Sequence, residues 1–138
     1  MPGTPTDWKR RYGGGIGNNY WDLLPFGSDD FYATTYFYSS LEALAEVETW
    51  IEKEGAAHQI APAKQGENAA ALLALAAEVK TTANKHFWNE KTGRFNGWID
   101  RDGVPYDYGL TFVNLEAIHS GIATDEHARK IMDWVRLG

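Results

Sequence analysis

Cysteine is absent from the 138 residues, which excludes disulfides and thiolate metal sites. No apolar run approaches the roughly 18 residues that a membrane-spanning helix needs, so no membrane partner is expected. There is no basic run either, and the net charge is −6. A phosphate backbone would be repelled, which argues against nucleic acid. His58, His86, His119 and His127 show no metal-ligand spacing, so neither a metal nor a cofactor is expected. The first seven residues, Met1 to Asp7, lack the apolar region of a secretory signal, and the cytoplasm is the default location.

What the chain has in quantity is aromatic residues: 14%, with six Trp, seven Tyr and six Phe. Many fall in segments rich in glycine and amides, where core packing does not demand them. Hydrophobic residues at 43% and charged residues at 23% give the composition of one folded domain over residues 1–138 rather than of a disordered chain.

Gly13, Gly14, Gly15 and Gly17 exclude a stable helix in the first segment, and residues 1–28 read as irregular. Ser28 or Asp29 is expected to cap a helix running to about Glu54, with Gly55 as its stop and Phe37, Leu41, Leu44 and Ile51 along one face. A second helix is expected from about Asn68 to Trp88, with a stripe of Leu72, Ala76, Val79, Ala83 and Phe87. Arg94–Ile99 and Val104–Tyr106 can pair as a hairpin across Asp102-Gly103. A third helix is expected over about Gly109 to His119. Thr124 caps a fourth, striped by Ala128, Ile131, Met132 and Val135. The pattern predicts an all-α fold of antiparallel helical hairpins with one small β-hairpin.

The segment most suggestive of function is Asn18-Asn19-Tyr20-Trp21-Asp22-Leu23-Leu24-Pro25-Phe26-Gly27. Aromatic faces stack on the apolar faces of sugar rings, and amides and carboxylates hydrogen-bond hydroxyls, so a saccharide is the ligand this segment suits best. Together with Phe87-Trp88-Asn89-Glu90-Lys91-Thr92-Gly93-Arg94-Phe95 and Asp107-Tyr108-Gly109-Leu110-Thr111-Phe112-Val113-Asn114-Leu115-Glu116-Ala117-Ile118, it resembles a segment of the six-hairpin, (α/α)6-barrel glycosidases. The resemblance implies a helical toroid that binds saccharides in a central cleft, usually with inverting hydrolysis by two carboxylates about 6.5–9.5 Å apart. Such a barrel has twelve helices, and this length holds about four or five, so the chain resembles about a third of the toroid.

Asp22 is the first candidate for the general acid, since the neighbouring Trp21 would raise its pKa by desolvation. The other reading is a turn-capping carboxylate that only binds hydroxyls. Glu116, in an otherwise apolar helix, is the candidate second carboxylate or else a residue of a solvated face. Asn19, Tyr20, Trp21 and Trp98 are the candidate substrate-binding residues. Trp98 reads equally as a stacking platform or a hydrophobic plug. Tyr32 and Tyr36, one helical turn apart, either line the sugar cleft or pack in the core.

Two other motifs carry no chemistry. Gly13-Gly14-Gly15-Ile16-Gly17 lacks the third glycine and the preceding strand of a dinucleotide loop. Asp100-Arg101-Asp102-Gly103 lacks the later ligands of a calcium loop. No nucleophile elbow is present.

The helix from Phe31 to Ala45 is apolar on too many faces to be covered by three other short helices. The expected remedy is a homo-oligomer, most simply a two-fold dimer, with weak or absent hydrolysis.

Overall fold

Asp30 joins the longest helix to a sheet, and much of the architecture follows from that junction. The computed structural model describes residues 28–138. Asp29–Asp30 form a short strand, β1, and helix α1 follows directly over Phe31–Glu54. The Asp30 carboxylate accepts a hydrogen bond from Ala33 N at 3.1 Å, so Asp30 is the cap. The expected caps Ser28 and Asp29 are displaced because β1 pairs with a distant strand: Asp29 lies opposite Ile99 and Asp30 opposite Trp98. No local signal reports such a pairing.

The buried face of α1 is also rotated from the expected one. Phe31, Thr34, Thr35, Tyr38, Leu41 and Ala45 are buried, whereas Leu44 is 52% exposed. Thr34 and Thr35 can turn inward because their hydroxyls donate to the carbonyls of Asp30 and Phe31, at 2.7 and 3.0 Å. A hydroxyl satisfied by its own helix carries little burial penalty. The helix stops at Gly55, as the sequence indicates, and a 3-10 turn follows over Gly55–His58. A Cβ at Gly55 would lie 2.7 Å from the Ile60 carbonyl oxygen, a clash that no side chain tolerates.

Helix α2 spans Ala69–Phe87, capped by Asn68, whose side-chain oxygen accepts from Ala71 N at 3.2 Å. Ala76, Ala83 and Phe87 of its stripe are buried, and Leu72 and Val79 pack against the same core. The two helices run antiparallel: Phe87, at the end of α2, meets Phe31, at the start of α1, with ring centroids 5.0 Å apart.

The segment between α2 and the third helix carries four short strands: β2 (Trp88–Asn89), β3 (Arg94–Phe95), β4 (Trp98–Ile99) and β5 (Pro105–Tyr106). β2 pairs with β3, and β1, β4 and β5 form a second antiparallel sheet in that order. The all-α toroid with one β-hairpin is therefore corrected. The described residues are 62% helical, with four helices and five strands in two small sheets, a mixed α/β fold. The hairpin across the Asp102-Gly103 turn forms between β4 and β5, while β3 turns back onto β2 instead. The Asp100 carboxylate shapes that turn by accepting from Asp102 N and Val104 N, both at 2.9 Å.

Helices α3 (Thr111–His119) and α4 (Asp125–Leu137) complete the described chain. Thr124 caps α4, its hydroxyl accepting from His127 N at 3.1 Å. Val113, Ala117, Ile122 and Ile131 join Phe31, Phe87 and Phe95 in one core. Asn84 ties α2 to the α3–α4 turn. Its amide nitrogen donates to the Lys80 and Ile122 carbonyls, both at 2.7 Å. Its oxygen faces Thr124 N at 3.3 Å and His127 Nδ1 at 2.7 Å. An oxygen accepts, so the His127 proton sits on Nδ1. Burial holds the His127 pKa below the usual imidazole value, assisted by the nearby Lys130 charge. Among the described residues no helix is long and apolar enough to cross a membrane.

Candidate functional site

Helical spacing brings Tyr32 and Tyr36 to one side of α1, and the same spacing brings Phe112 and Glu116 to one side of α3. The two pairs meet. The Tyr32 and Tyr36 hydroxyls are 3.1 Å apart, and their rings stand edge to face at 4.9 Å and 79°. Tyr32 meets Phe112 edge to face at 5.5 Å and 81°. Tyr36 is 49% exposed, so a ring and a hydroxyl are presented to solvent. The Tyr36 hydroxyl is pushed up to about 12 by its hydrogen bond to Tyr32, by burial and by electrostatic interaction with Tyr32 and Glu116. It therefore stays protonated at any physiological pH and both donates and accepts hydrogen bonds. A half-buried carboxylate, Glu116, lies near enough to act on it electrostatically.

A second group of rings forms on the sheet. Trp98 stacks on Tyr106 at 4.9 Å and 9°, and Tyr108 leans on Trp98 at 5.4 Å. The outermost ring, Tyr108, is 66% exposed, whereas Trp98 is 3% exposed. The Tyr106 hydroxyl donates to Asp100 Oδ2 at 2.9 Å.

Between these groups and α4 lies a closed polar network around Asp107. Its Oδ1 accepts from Arg94 Nε at 2.7 Å and Gly109 N at 3.0 Å. Its Oδ2 accepts from Thr92 Oγ1 at 2.7 Å and Asn89 Nδ2 at 3.1 Å. Burial alone would raise the Asp107 pKa. The hydrogen bonds from Thr92, Arg94 and Gly109 and the Arg94 charge outweigh burial and hold it below the usual carboxylate range. A carboxylate so saturated is a structural anchor and a poor proton donor. Arg94 in turn lies 4.5 Å over the Trp134 ring. Gly109 makes this possible at φ +61°, since a Cβ there would stand 3.3 Å from both Arg94 Cζ and Trp134.

Of the residues that sequence singles out, Asn19, Tyr20, Trp21 and Asp22 lie outside the described residues. Glu116 is on α3, one turn beyond Phe112, and acts electrostatically on Tyr36. Trp98 is on β4, sandwiched into the sheet cluster rather than presented as an open face. Phe112 and Tyr108 are additions. For Phe112 the legible signal is its i, i+4 relation to Glu116, which copies that of Tyr32 to Tyr36. The exposure of Tyr108 depends on long-range stacking and leaves no local trace. Among the described residues no group of three or more His, Asp or Glu side chains is arranged to hold a metal ion.

No protein-family model matches this chain, no curated protein matches it in sequence, and no solved structure matches it.

Proposed function

We propose that this chain is a glycosidase-like domain that binds a saccharide on the Tyr32–Tyr36–Phe112–Glu116 face. The observation that carries this reading is the exposed Tyr36 ring, its hydroxyl 3.1 Å from that of Tyr32, on the side of α1 that meets Phe112 of α3. A sugar ring lying on Tyr36 would hand hydroxyl protons to Glu116 and accept from the phenol. The aromatic motif Asn19-Tyr20-Trp21-Asp22 and the Asp107–Ile118 motif, both shared in pattern with the six-hairpin glycosidases, point to the same ligand class. Glucosides and rhamnosides are the first probes.

A second reading, a non-catalytic module binding a saccharide or a protein partner, gains support from Asp107. That acid is engaged by four donors and cannot serve as the second carboxylate of an inverting pair. Hydrolysis through Glu116 then depends on Asp22, and turnover of aryl glycosides is expected to be weak or absent. Titration calorimetry with gluco- and rhamno-oligosaccharides should show binding that Tyr36→Ala weakens about tenfold, a loss of about 1.4 kcal/mol. Glu116→Gln, which keeps size and removes charge, should weaken it as well. Binding that neither change alters would take this face out of the site.

Self-association belongs to the same proposal. Leu44, Val47 and Trp50, spaced by three along α1, are 52%, 52% and 45% exposed. Each Å² of apolar surface left in water costs about 25 cal/mol, and a second copy of α1 across a two-fold axis covers the stripe with its own equivalent. Light scattering should give a mass above 15.5 kDa for the wild type and a return to 15.5 kDa for Val47→Glu. A wild-type species of 15.5 kDa at all concentrations rejects the dimer.

A further inference from the structure

Helices α1 and α2 leave a trough of about 510 Å³ along one side of their seam, a volume ordinary for a small-molecule site. Its floor is formed by the buried residues Thr34, Ala83 and Phe87. Its sides are formed by Phe37, Leu75 and Val79. The Thr34 hydroxyl already donates to the Asp30 carbonyl at 2.7 Å, so floor and sides together present an apolar surface.

The rim is polar, and its chemistry follows from helical spacing. Leu75, Val79 and Ala83 recur every fourth residue of α2, and Glu78, Thr82 and His86 form the next row over, which is exposed. At a rise of about 1.5 Å per residue, Glu78 and His86 lie about 12 Å apart along the helix axis. Asp29 of β1 joins the His86 end, its Oδ2 lying 2.9 Å from His86 Nε2. His86 is set there edge to face against Phe87, at 4.9 Å and 77°. A carboxylate therefore stands at each end of the trough. Both are reachable: Glu78 is exposed and the Asp29 side chain is 35% exposed. Among the described residues no donor engages Asp29 Oδ1 or the Glu78 carboxylate, and no Lys or Arg lines the trough.

An anion is repelled by both ends of such a site. A neutral apolar molecule uses the trough and neither carboxylate, and an amine with one charge answers a single end. A linear aliphatic diamine answers both. Its methylenes lie along Phe37, Leu75 and Val79, and each ammonium brings three donors to an open carboxylate in charge-assisted hydrogen bonds. The net charge of −6 favours the approach of a cation.

We propose that the α1–α2 trough binds a linear aliphatic diamine, with one ammonium on Asp29 and the other on Glu78. Tyr32, Tyr36, Phe112 and Glu116 are not among its lining residues, so the site is independent of the saccharide face.

Titration calorimetry on the full chain, at fixed ionic strength, compares octamethylenediamine with octylamine, tetramethylenediamine and octanediol. Octamethylenediamine should bind saturably and the other three more weakly. Glu78→Gln alters an exposed helix residue and leaves the fold intact. It should weaken octamethylenediamine about fivefold and remove its advantage over octylamine. Glu52→Gln removes the same charge from an exposed position outside the trough and should leave the affinity unchanged. An equal loss in both variants assigns the binding to diffuse attraction and overturns the proposal. Octanediol binding as tightly as the diamine overturns it, because the carboxylates then play no part. Octylamine or tetramethylenediamine binding as tightly overturns the two-ended site. Absence of diamine binding, as when a second copy of the chain covers the trough, overturns it as well. None of these outcomes bears on the saccharide titration of Tyr36→Ala, so the two sites fail or succeed separately.

Discussion

Phe31→Ala is expected to lower the unfolding free energy by about 3–5 kcal/mol, the usual loss for a fully buried aromatic cut back to a methyl. Phe31 is 0% exposed and lies against Phe95 at 4.3 Å and Phe87 at 5.0 Å, so its ring is shared by α1, α2 and β3. Its backbone N–H also donates to the Gly97 carbonyl at 3.1 Å, which leaves the residue little room to move into the void. Denaturant unfolding should show a lower midpoint with an unchanged slope. A loss under about 1 kcal/mol would mean that the surrounding rings collapse into the space, and that the three elements do not depend on this contact.

Asn114→Leu is expected to cost about 3 kcal/mol, although it replaces a polar core residue with an apolar one of similar size. Asn114 is 0% exposed. Its oxygen accepts from Phe95 N at 2.8 Å, and its nitrogen donates to the Leu110 carbonyl at 3.1 Å. Leucine leaves the Phe95 N–H buried without an acceptor, and the penalty comes from that orphaned group more than from the lost bonds. Because Asn114 sits on α3 between Phe112 and Glu116, the same change should loosen the aromatic face. Thermal melts monitored by near-ultraviolet circular dichroism read both effects. A variant as stable as the wild type would show that Phe95 N finds another acceptor.

Both residues illustrate what was legible before the structure. Asn114 lies on the same helix as Glu116, which attracts attention instead because a carboxylate suggests chemistry. The amide's role depends on Phe95, on a strand that pairs with β2 rather than with β5. For Tyr32, Tyr36 and Glu116 the spacing alone put each on a helix face, but only packing set the two faces against each other.

Local chemistry in the sequence determined the four helices, the Thr124 cap, the stop at Gly55 and the α2 stripe, because each depends on neighbours within a turn or two. It likewise determined the Asp100–Gly103 turn, where one carboxylate organises its own successors. The tertiary structure decided the rest. It pulled Asp29 into a strand with Ile99, moved the cap to Asp30, turned Thr34 and Thr35 inward and left Leu44 outside. Each of these rests on contacts between residues far apart in the chain. The gain from burying one face of α1 rather than another is set by the elements that arrive to cover it, and periodicity within the helix carries no record of them.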